Sequence, residues 1–166
     1  IITQDSIKEK LANYDLQEED IYKEKNIFNF IAHMKELYAK EGFLNFSATE
    51  EIIINENGNV DIKIKITEGK QVIIRTLEIN GLESYSKEEI LKIINIGVAR
   101  SKLASLFSVK NKYKPHKLTE ELKKIVYFYQ NKGYYDVYIE ELNTDISDDN
   151  KYIDISVKIS EGAEYN

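Results

Sequence analysis

The chain has 166 residues, a net charge of −6 at pH 7, 42% hydrophobic and 31% charged residues, and no cysteine. This balance is typical of globular proteins, and the length allows one ordinary domain or two small ones. The lack of cysteine excludes disulfides and thiolate metal sites, the acidity without a basic cluster argues against nucleic-acid binding, and no apolar run approaches the roughly 18–20 residues of a membrane-spanning helix. Because the chain starts at Ile1 rather than Met, we expect a fragment or a processed form.

The first strong pattern is an amphipathic helix that ends just before Gly42. Its apolar side chains recur at helical spacing, which predicts a face buried in a core: Ile27, Phe30, Ile31, Met34, Leu37 and Tyr38. Glycine is common at the position directly after a helix, where the backbone turns left-handed. Met34 and the aromatic residues therefore need no cofactor to explain them.

A β-hairpin follows this helix. Asn57–Gly58 is a strong signal for a two-residue turn between a strand over Phe43–Ile54 and a second strand. The second strand alternates strictly between aliphatic and polar residues, with Val60, Ile62, Ile64 and Ile66 on one face. Such alternation predicts a sheet with one buried and one solvated face. Glu68–Gly69 closes this strand, and each Glu of this kind is interpreted as a turn residue that bonds nearby backbone.

A second set of elements begins at Gln71. Gln71–Asn80 is rich in β-branched residues and ends at the turn signal Asn80–Gly81, so it predicts a strand. Ser86 followed by Glu89 is a capping-box pattern and predicts a short helix. An irregular polar stretch comes next, and a longer helix is predicted from about Pro115 to Asn131, with this apolar stripe: Leu118, Leu122, Ile125, Val126 and Tyr129.

The second set ends as the first does. Gly133 and Tyr134 follow the helix, Tyr135–Leu142 predicts a strand, and the sequence SDDNK (147–151) predicts a hairpin turn. The last strand alternates through Ile153, Ile155, Val157 and Ile159 and closes at Glu161–Gly162.

The two sets are copies of one unit. Gly133 follows Gly42 by 133 − 42 = 91 residues, Gly162 follows Gly69 by 162 − 69 = 93 residues, and Ser86 follows Thr3 by 86 − 3 = 83 residues. A period near 90 residues is typical of tandem small domains rather than of a solenoid. We therefore expect an α+β protein of two β-α-α-β-β domains, each a three-stranded mixed sheet with two helices on one face.

The expected domain bounds are residues 1–70 and 71–163. The first domain largely lacks its first strand, of which Ile1–Ile2 could be the stub, and the second carries an insertion at about 99–113. Residues 163–166 could begin a third copy. Only a few residues separate the two domains, so a limited range of angles between them is expected.

The repeated phrases resemble POTRA domains. The opening strand, turn and first helix of that family resemble LEINGLESYSKEEILKII. Its second helix, with the glycine and aromatic residue that follow, resembles YKPHKLTEELKKIVYFYQNKGYYDVYIE. The segment that follows its last strand resembles ISEGAEY. The resemblance covers essentially the whole chain and is greatest to the second and third domains of the periplasmic arm of BamA-type outer-membrane β-barrel assembly proteins. Leu82 departs from the family, which often has Asn there, and so do Leu103, Leu106 and Phe107, where aromatic residues are frequent.

The resemblance implies a function without bond chemistry. It implies a location on the periplasmic side of the outer membrane of a Gram-negative bacterium, where the arm would bind unfolded β-barrel precursors and accessory assembly lipoproteins. Neighbouring POTRA domains and a C-terminal membrane β-barrel would complete the full chain. An edge strand can bind such clients by β-augmentation, because its unpaired backbone groups accept an extended segment with little demand on sequence.

The resemblance also implies where the unfolded precursors would bind: the strand that follows Gly42–Phe43 in the first copy and the strand that follows Gly133–Tyr134 in the second. The partner-binding residues expected there are Phe43, Asn45, Phe46, Thr49, Tyr135, Val137, Tyr138, Ile139 and Glu140. The residues expected to have a structural role are Gly42, Glu68, Gly69, Gly81, Gly133, Tyr134, Glu161 and Gly162. The alternative for these strands is an ordinary edge protected by its polar and acidic side chains.

The sequence implies no catalytic residue, metal ligand or cofactor. His33 and His116 are the only histidines and share no motif, and the turn SDDNK lacks the spacing and the Gly of a calcium loop. Two alternatives remain open: a POTRA arm of a two-partner secretion or organelle import pore, and, in another class, a small α+β enzyme or ligand-binding domain pair.

Overall fold

The computed structural model describes residues 3–97 and 111–165. The chain divides into two compact units, the first formed by residues 1–39 and 45–69 and the second by residues 40–44 and 70–166. In the described part of the chain no helix is both long and apolar enough to span a bilayer.

The first unit contains the elements of the first repeat copy. Helix α1 spans Gln4–Ala12, and the Thr3 side chain caps it by accepting a hydrogen bond from the Ser6 amide. Helix α2 spans Glu24–Lys40 and strands β1 (Ser47–Ile54) and β2 (Val60–Thr67) form an antiparallel hairpin. Among the described residues this sheet has two strands, and the expected stub, Ile1–Ile2, lies outside the described residues.

The core of the first unit lies where α2 meets the hairpin. The side chains of α2 that the periodicity assigned to the core are buried at four positions, Ile27, Phe30, Met34 and Tyr38. The Phe46 ring stacks on Tyr38 with the centroids 4.5 Å apart, and Phe46 is itself buried just before β1 begins. The start of β1 is thereby fixed against the end of α2.

The second unit contains a complete β-α-α-β-β set. Its elements are β3 (Ile73–Asn80), α3 (Lys87–Ile93), α4 (Pro115–Gln130), β4 (Tyr138–Ile146) and β5 (Tyr152–Ser160). The strand order is β3-β5-β4, with β3 parallel and β4 antiparallel to β5, so the sheet is mixed as the sequence predicted.

The second unit has the helix cap at Ser86 and the apolar face of α4 that the sequence predicted. Ser86 and Glu89 form a reciprocal capping box at the start of α3. Leu118, Leu122, Ile125 and Tyr129 of α4 are buried against the alternating aliphatic residues of the sheet. The members of this core that come from strands are Ile74, Leu77, Ile79, Ile153, Ile155, Val157 and Ile159.

Two features differ from the expectation or lie outside the description. Strand β1 starts at Ser47 rather than Phe43, and β4 starts at Tyr138 rather than Tyr135. The chain turns between Gly133 and β4, where the Val137 amide bonds the Tyr134 carbonyl at 3.4 Å and the Val137 side chain is buried. Most of the expected insertion, including Leu103, Leu106 and Phe107, lies outside the described residues.

Candidate partner-binding edges

A tyrosine–glutamate hydrogen bond closes each unit at the same place. The Tyr38 hydroxyl donates to Glu68 Oε1 at 2.5 Å, and the Tyr129 hydroxyl donates to Glu161 Oε1 at 2.6 Å. Each Glu directly follows the last strand of its unit, and each Tyr lies in the last turn of α2 or near the end of α4. In each unit this hydrogen bond therefore links the residue after the last strand to the end of the second helix.

Glu161 receives further donors in the second unit. Its carboxylate accepts from the Glu83 amide at 2.8 Å, from the Ser84 amide at 3.0 Å and from the Ser84 hydroxyl at 2.5 Å. Burial opposes ionisation of this carboxyl, yet the hydrogen bonds from Ser84, Tyr129 and Glu83 hold its pKa below the usual value. Glu161 thus bonds groups far away in the sequence, where the sequence suggested a local turn bond.

The two tyrosines are held in their protonated form. Burial, reinforced by the hydrogen bond to Glu68, raises the pKa of Tyr38 to about 12. Burial and the bond to Glu161 likewise raise the pKa of Tyr129. At neutral pH both hydroxyls are therefore donors, and neither is a base.

Glycines complete these junctions. Every glycine assigned a structural role has a positive φ: Gly42, Gly69, Gly81, Gly133 and Gly162. A Cβ on Gly69 would lie 2.9 Å from Cβ of Asn45, and one on Gly162 would lie 2.9 Å from Cβ of Asp136. The residue after each Glu is thus held against the loop that leads into β1 or β4, which repeats one geometry in both units.

Strands β4 and β1, which the family resemblance implied as binding strands, each have a free edge among the described residues. In the second unit β4 pairs only with β5, and its other side faces no strand among the described residues. The opposite edge of that sheet is partly covered, because Lys112 bridges to Ile73 and the Tyr113 amide bonds the Val72 carbonyl at 2.8 Å. In the first unit the corresponding strand β1 pairs with β2 and with no other strand within residues 3–97 and 111–165.

Exposed apolar side chains lie along both of these strands. On β4 Tyr138, Leu142 and Ile146 are exposed, and on β1 three consecutive isoleucines, Ile52–Ile54, are exposed, the last at 70%. An exposed apolar edge strand can pair with another chain unless charge or irregularity protects it.

The two edges differ in regularity. β1 pairs with β2 in one continuous register from Ser47↔Thr67 to Ile54↔Val60. β4 shifts register between Ile139 and Glu141, so Glu140 is an extra residue opposite β5, and its carboxylate binds Lys158 at 2.9 Å.

The structure distributes the expected partner-binding residues over three environments. Thr49 lies on β1, and Tyr138, Ile139 and Glu140 lie on β4. Phe46 and Val137 are buried, so they support the strands and are not on a binding surface. The remaining three, Phe43, Asn45 and Tyr135, precede the strands, because each strand starts later than expected.

The sequence did not point to the second half of either edge strand, the half that leads to the hairpin turn. Leu142, Ile146 and Ile52–Ile54 are the exposed apolar residues there, and none was assigned a binding role. Part of the signal was present, since β1 ends in three consecutive isoleucines and β4 continues with Leu142, Thr144 and Ile146 at alternate positions.

The histidines do not form a site. His33 lies beside the Tyr14 ring in the first unit, and His116 Nδ1 lies 3.2 Å from the Lys40 carbonyl oxygen in the second. Within residues 3–97 and 111–165 no cluster of three or more His, Asp or Glu side chains could hold a metal ion.

A known family and known proteins match most of the chain. A family model for POTRA, described as "Surface antigen variable number repeat", matches residues 1–69 and 72–162. The outer membrane protein assembly factor BamA of Neisseria meningitidis is 25% identical over 165 residues, which is 99% of this chain and 20% of that protein. BamA of Buchnera aphidicola is 34% identical over 113 residues, which is 68% of this chain and 18% of that protein. The chain thus spans about a fifth of the length of these relatives.

The fold has a counterpart among solved structures. The N-terminal domain of Omp85 from Thermosynechococcus elongatus matches with a TM-score of 0.50 at 12% identity, over 97% of this chain and 59% of that one. POTRA domains 3–5 of BamA from Haemophilus influenzae match with a TM-score of 0.48 at 16% identity, over 98% of this chain and 62% of that one.

Proposed function

Because the chain belongs to the POTRA family and is of the BamA type, we propose that it forms part of the periplasmic arm of an outer-membrane protein assembly machine in a Gram-negative bacterium. In this role it binds unfolded β-barrel precursors and accessory lipoproteins and makes or breaks no covalent bond. Neighbouring POTRA domains and a C-terminal membrane β-barrel belong to the same full chain.

The free outer edge of β4 carries this proposal. Its backbone groups face no partner strand among the described residues, and Tyr138, Leu142 and Ile146 expose apolar surface beside them. An added strand gains backbone hydrogen bonds whatever its sequence, and it gains apolar burial where its side chains alternate. That combination suits a set of clients that share extended, alternating segments and little else.

The charge along the edges adds a preference. Glu50 and Glu51 on β1, and Glu141 and Asp145 on β4, are exposed acidic residues. Opposite charges on paired strands stabilise the pairing and like charges weaken it. Client segments with basic or neutral residues between their apolar positions should therefore bind more tightly than acidic ones.

A charge placed on the β4 edge tests the proposal. Leu142→Lys removes exposed apolar contact area and should weaken binding of an unfolded outer-membrane β-barrel precursor to the 166-residue chain by about 5-fold, which corresponds to roughly 1 kcal/mol. Tyr127→Lys is the matched control, because Tyr127 is also exposed but lies on α4. Equal binding by both variants, with unchanged thermal unfolding, would show that the β4 edge is not the binding surface.

A pair of proline variants separates binding from folding. Neighbouring residues of an antiparallel edge strand direct their amides alternately inward and outward, so one of Asn143→Pro and Thr144→Pro breaks a bond to β5 and the other affects only the outer edge. The variant that keeps its circular-dichroism spectrum and melting temperature should lose precursor binding. Full binding by that variant would contradict β-augmentation at this edge.

A further inference from the structure

The sequence contains two Asn-Gly pairs, Asn57–Gly58 and Asn80–Gly81, and the structure holds them in different ways. Such a pair can react with itself, because glycine has no side chain to keep its backbone nitrogen away from the preceding asparagine side chain. The glycine nitrogen attacks the side-chain carbonyl carbon and displaces the side-chain nitrogen. The reaction requires a backbone that can rotate far enough to bring these two atoms together.

Asn57–Gly58 lies in an open turn between β1 and β2. Two backbone hydrogen bonds close this turn, from the Asn55 amide to the Asn59 carbonyl at 2.8 Å and from the Gly58 amide to the Asn55 carbonyl at 2.9 Å. Asn57 is exposed, and no group of the described residues bonds its side chain. A Cβ on Gly58 would meet no atom within 4 Å. The reacting atoms can therefore approach when the turn alone opens, with the strand pairs intact.

Asn80–Gly81 is held on both sides. Asn80 is the last residue of β3 and pairs with Lys158 of β5. Gly81 packs so closely on β5 that an added Cβ would collide with the Ile159 carbonyl oxygen. Just beyond Gly81, two backbone amides donate to the Glu161 carboxylate at 2.8 and 3.0 Å. Attack at Asn80 therefore requires the end of β3 to separate from β5 first.

From this contrast we propose that Asn57 is a site of spontaneous covalent modification in the folded protein, whereas Asn80 is protected. A bond forms from the Gly58 nitrogen to Cγ of Asn57, the bond from Cγ to Nδ2 breaks, and the side-chain amide leaves as ammonia with the proton of the Gly58 amide. The product is a five-membered succinimide ring. Water then opens the ring at either carbonyl carbon and gives aspartate or isoaspartate. Water is the only other reactant, and nothing is oxidised or reduced.

The isoaspartate product changes the hairpin. Its main chain runs through the former side-chain carbonyl, so the backbone gains one methylene group and a free carboxylate is left beside it. A turn that is closed by the bond from Gly58 to Asn55 has a fixed length, and the added group breaks it. The adjoining strand pair, Ile54↔Val60, then loses its closure. The exposed end of β1 at Ile52–Ile54 should therefore open more often.

Ageing of the 166-residue chain tests the site. The chain is kept at mildly alkaline pH, and the peptide with each Asn-Gly pair is followed by mass spectrometry, since replacement of NH₂ by OH adds about 1 Da. We expect Asn57 to convert at least about 10-fold faster than Asn80, because reaction at Asn80 first requires local opening of a strand end.

Unfolding the chain is the control for this comparison. In urea the two asparagines should convert at rates within about 3-fold of each other, because each then lies in an open chain. Equal rates in the folded chain overturn the proposal. So does an excess of Asn57 over Asn80 that is as large in urea as in the folded chain, since the difference would then come from the neighbouring sequence.

Hydrogen exchange tests the effect on the hairpin. In the isoaspartate form, separated by chromatography, amides of Ile52–Ile54 should exchange at least about 10-fold faster than in the fresh chain. Asn57→Asp is the matched control, because it adds the same charge without lengthening the backbone, and it should exchange as the fresh chain does. Unchanged exchange in the isoaspartate form overturns the effect on the hairpin. Equally fast exchange in Asn57→Asp overturns the role of the added methylene group.

Discussion

The Tyr129 hydroxyl lies 2.6 Å from Glu161 Oε1, and the two residues join the end of α4 to the residue that follows β5. The equivalent bond between Tyr38 and Glu68 is 2.5 Å long. The tyrosine four residues before Gly42 or Gly133 and the glutamate of each Glu-Gly pair, which are far apart in the sequence, are thus joined by one hydrogen bond.

Removing the hydroxyl of Tyr129 should destabilise the second unit. Tyr129→Phe keeps the buried ring but deletes a hydrogen bond to a carboxylate, so the free energy of unfolding should fall by about 1.5–3 kcal/mol. Urea unfolding measures the loss, and hydrogen exchange assigns it to the second unit. Tyr127→Phe, on the exposed face of the same helix, should change stability by less than about 0.5 kcal/mol. Equal effects of the two variants would mean that the bond to Glu161 adds no stability.

Acid should weaken the second unit through Asp154. Hydrogen bonds from Arg75 and Thr76 lower the pKa of this carboxyl from 3.8 to about 2. A carboxyl whose pKa is depressed on folding adds stability above its unfolded pKa, and that stability is lost as the pH falls from 3.8 through about 2. Asp154→Asn should therefore flatten the fall in unfolding free energy in this window and lower stability at neutral pH.

The acid prediction has a matched control. Asp148→Asn, in the turn between β4 and β5, changes a carboxylate without a hydrogen bond or ion pair among the described residues. Urea unfolding followed at several pH values should show the native slope for this variant. If Asp154→Asn keeps the same slope as Asp148→Asn, the ion pair on the solvated face of the sheet does not control acid stability.

Alanine should be tolerated far less at Gly162 than at Gly58. Both glycines have a positive φ, 72° and 80°, which costs about 1–2 kcal/mol for an L-residue. At Gly58 an added Cβ meets no atom within 4 Å, whereas at Gly162 it lies 2.9 Å from Cβ of Asp136. Gly162→Ala should therefore lose about 1–3 kcal/mol more than Gly58→Ala in unfolding free energy. Similar losses would show that the junction yields to the extra methyl group.

The sequence predicted best where one physical signal acted alone. The stripe of α4, the capping box at Ser86 and the alternation of β5 each follow from a period or a local hydrogen bond, and all three are present. The starts of β1 and β4 were predicted too early, because Phe46 and Val137 are β-prone in sequence but are turned into the core by the preceding loops. That choice depends on tertiary packing, which propensity does not contain.

For the candidate site, the sequence could predict which strands form it but not which of their residues are exposed. That β1 and β4 have a free edge follows from the topology implied by the family resemblance. Exposure of Leu142 and Ile146, and the extra residue at Glu140, depend on how β4 registers against β5. Likewise Glu161 finds its donors in Glu83 and Ser84, 78 and 77 residues away, a distance over which local patterns carry no information.

The extra residue at Glu140 divides the outer edge of β4 into two stretches of unequal length. The alternation of side chains between the two faces of the sheet is shifted by one residue from one stretch to the other. A ligand strand that followed β4 from Tyr138 to Ile146 would need its own compensating irregularity, because a regular strand cannot keep its side chains on one face across a one-residue slip. β1 offers eight residues in a single phase instead. The two repeated units therefore present free edges with different lengths of regular strand, although both units have the same fold.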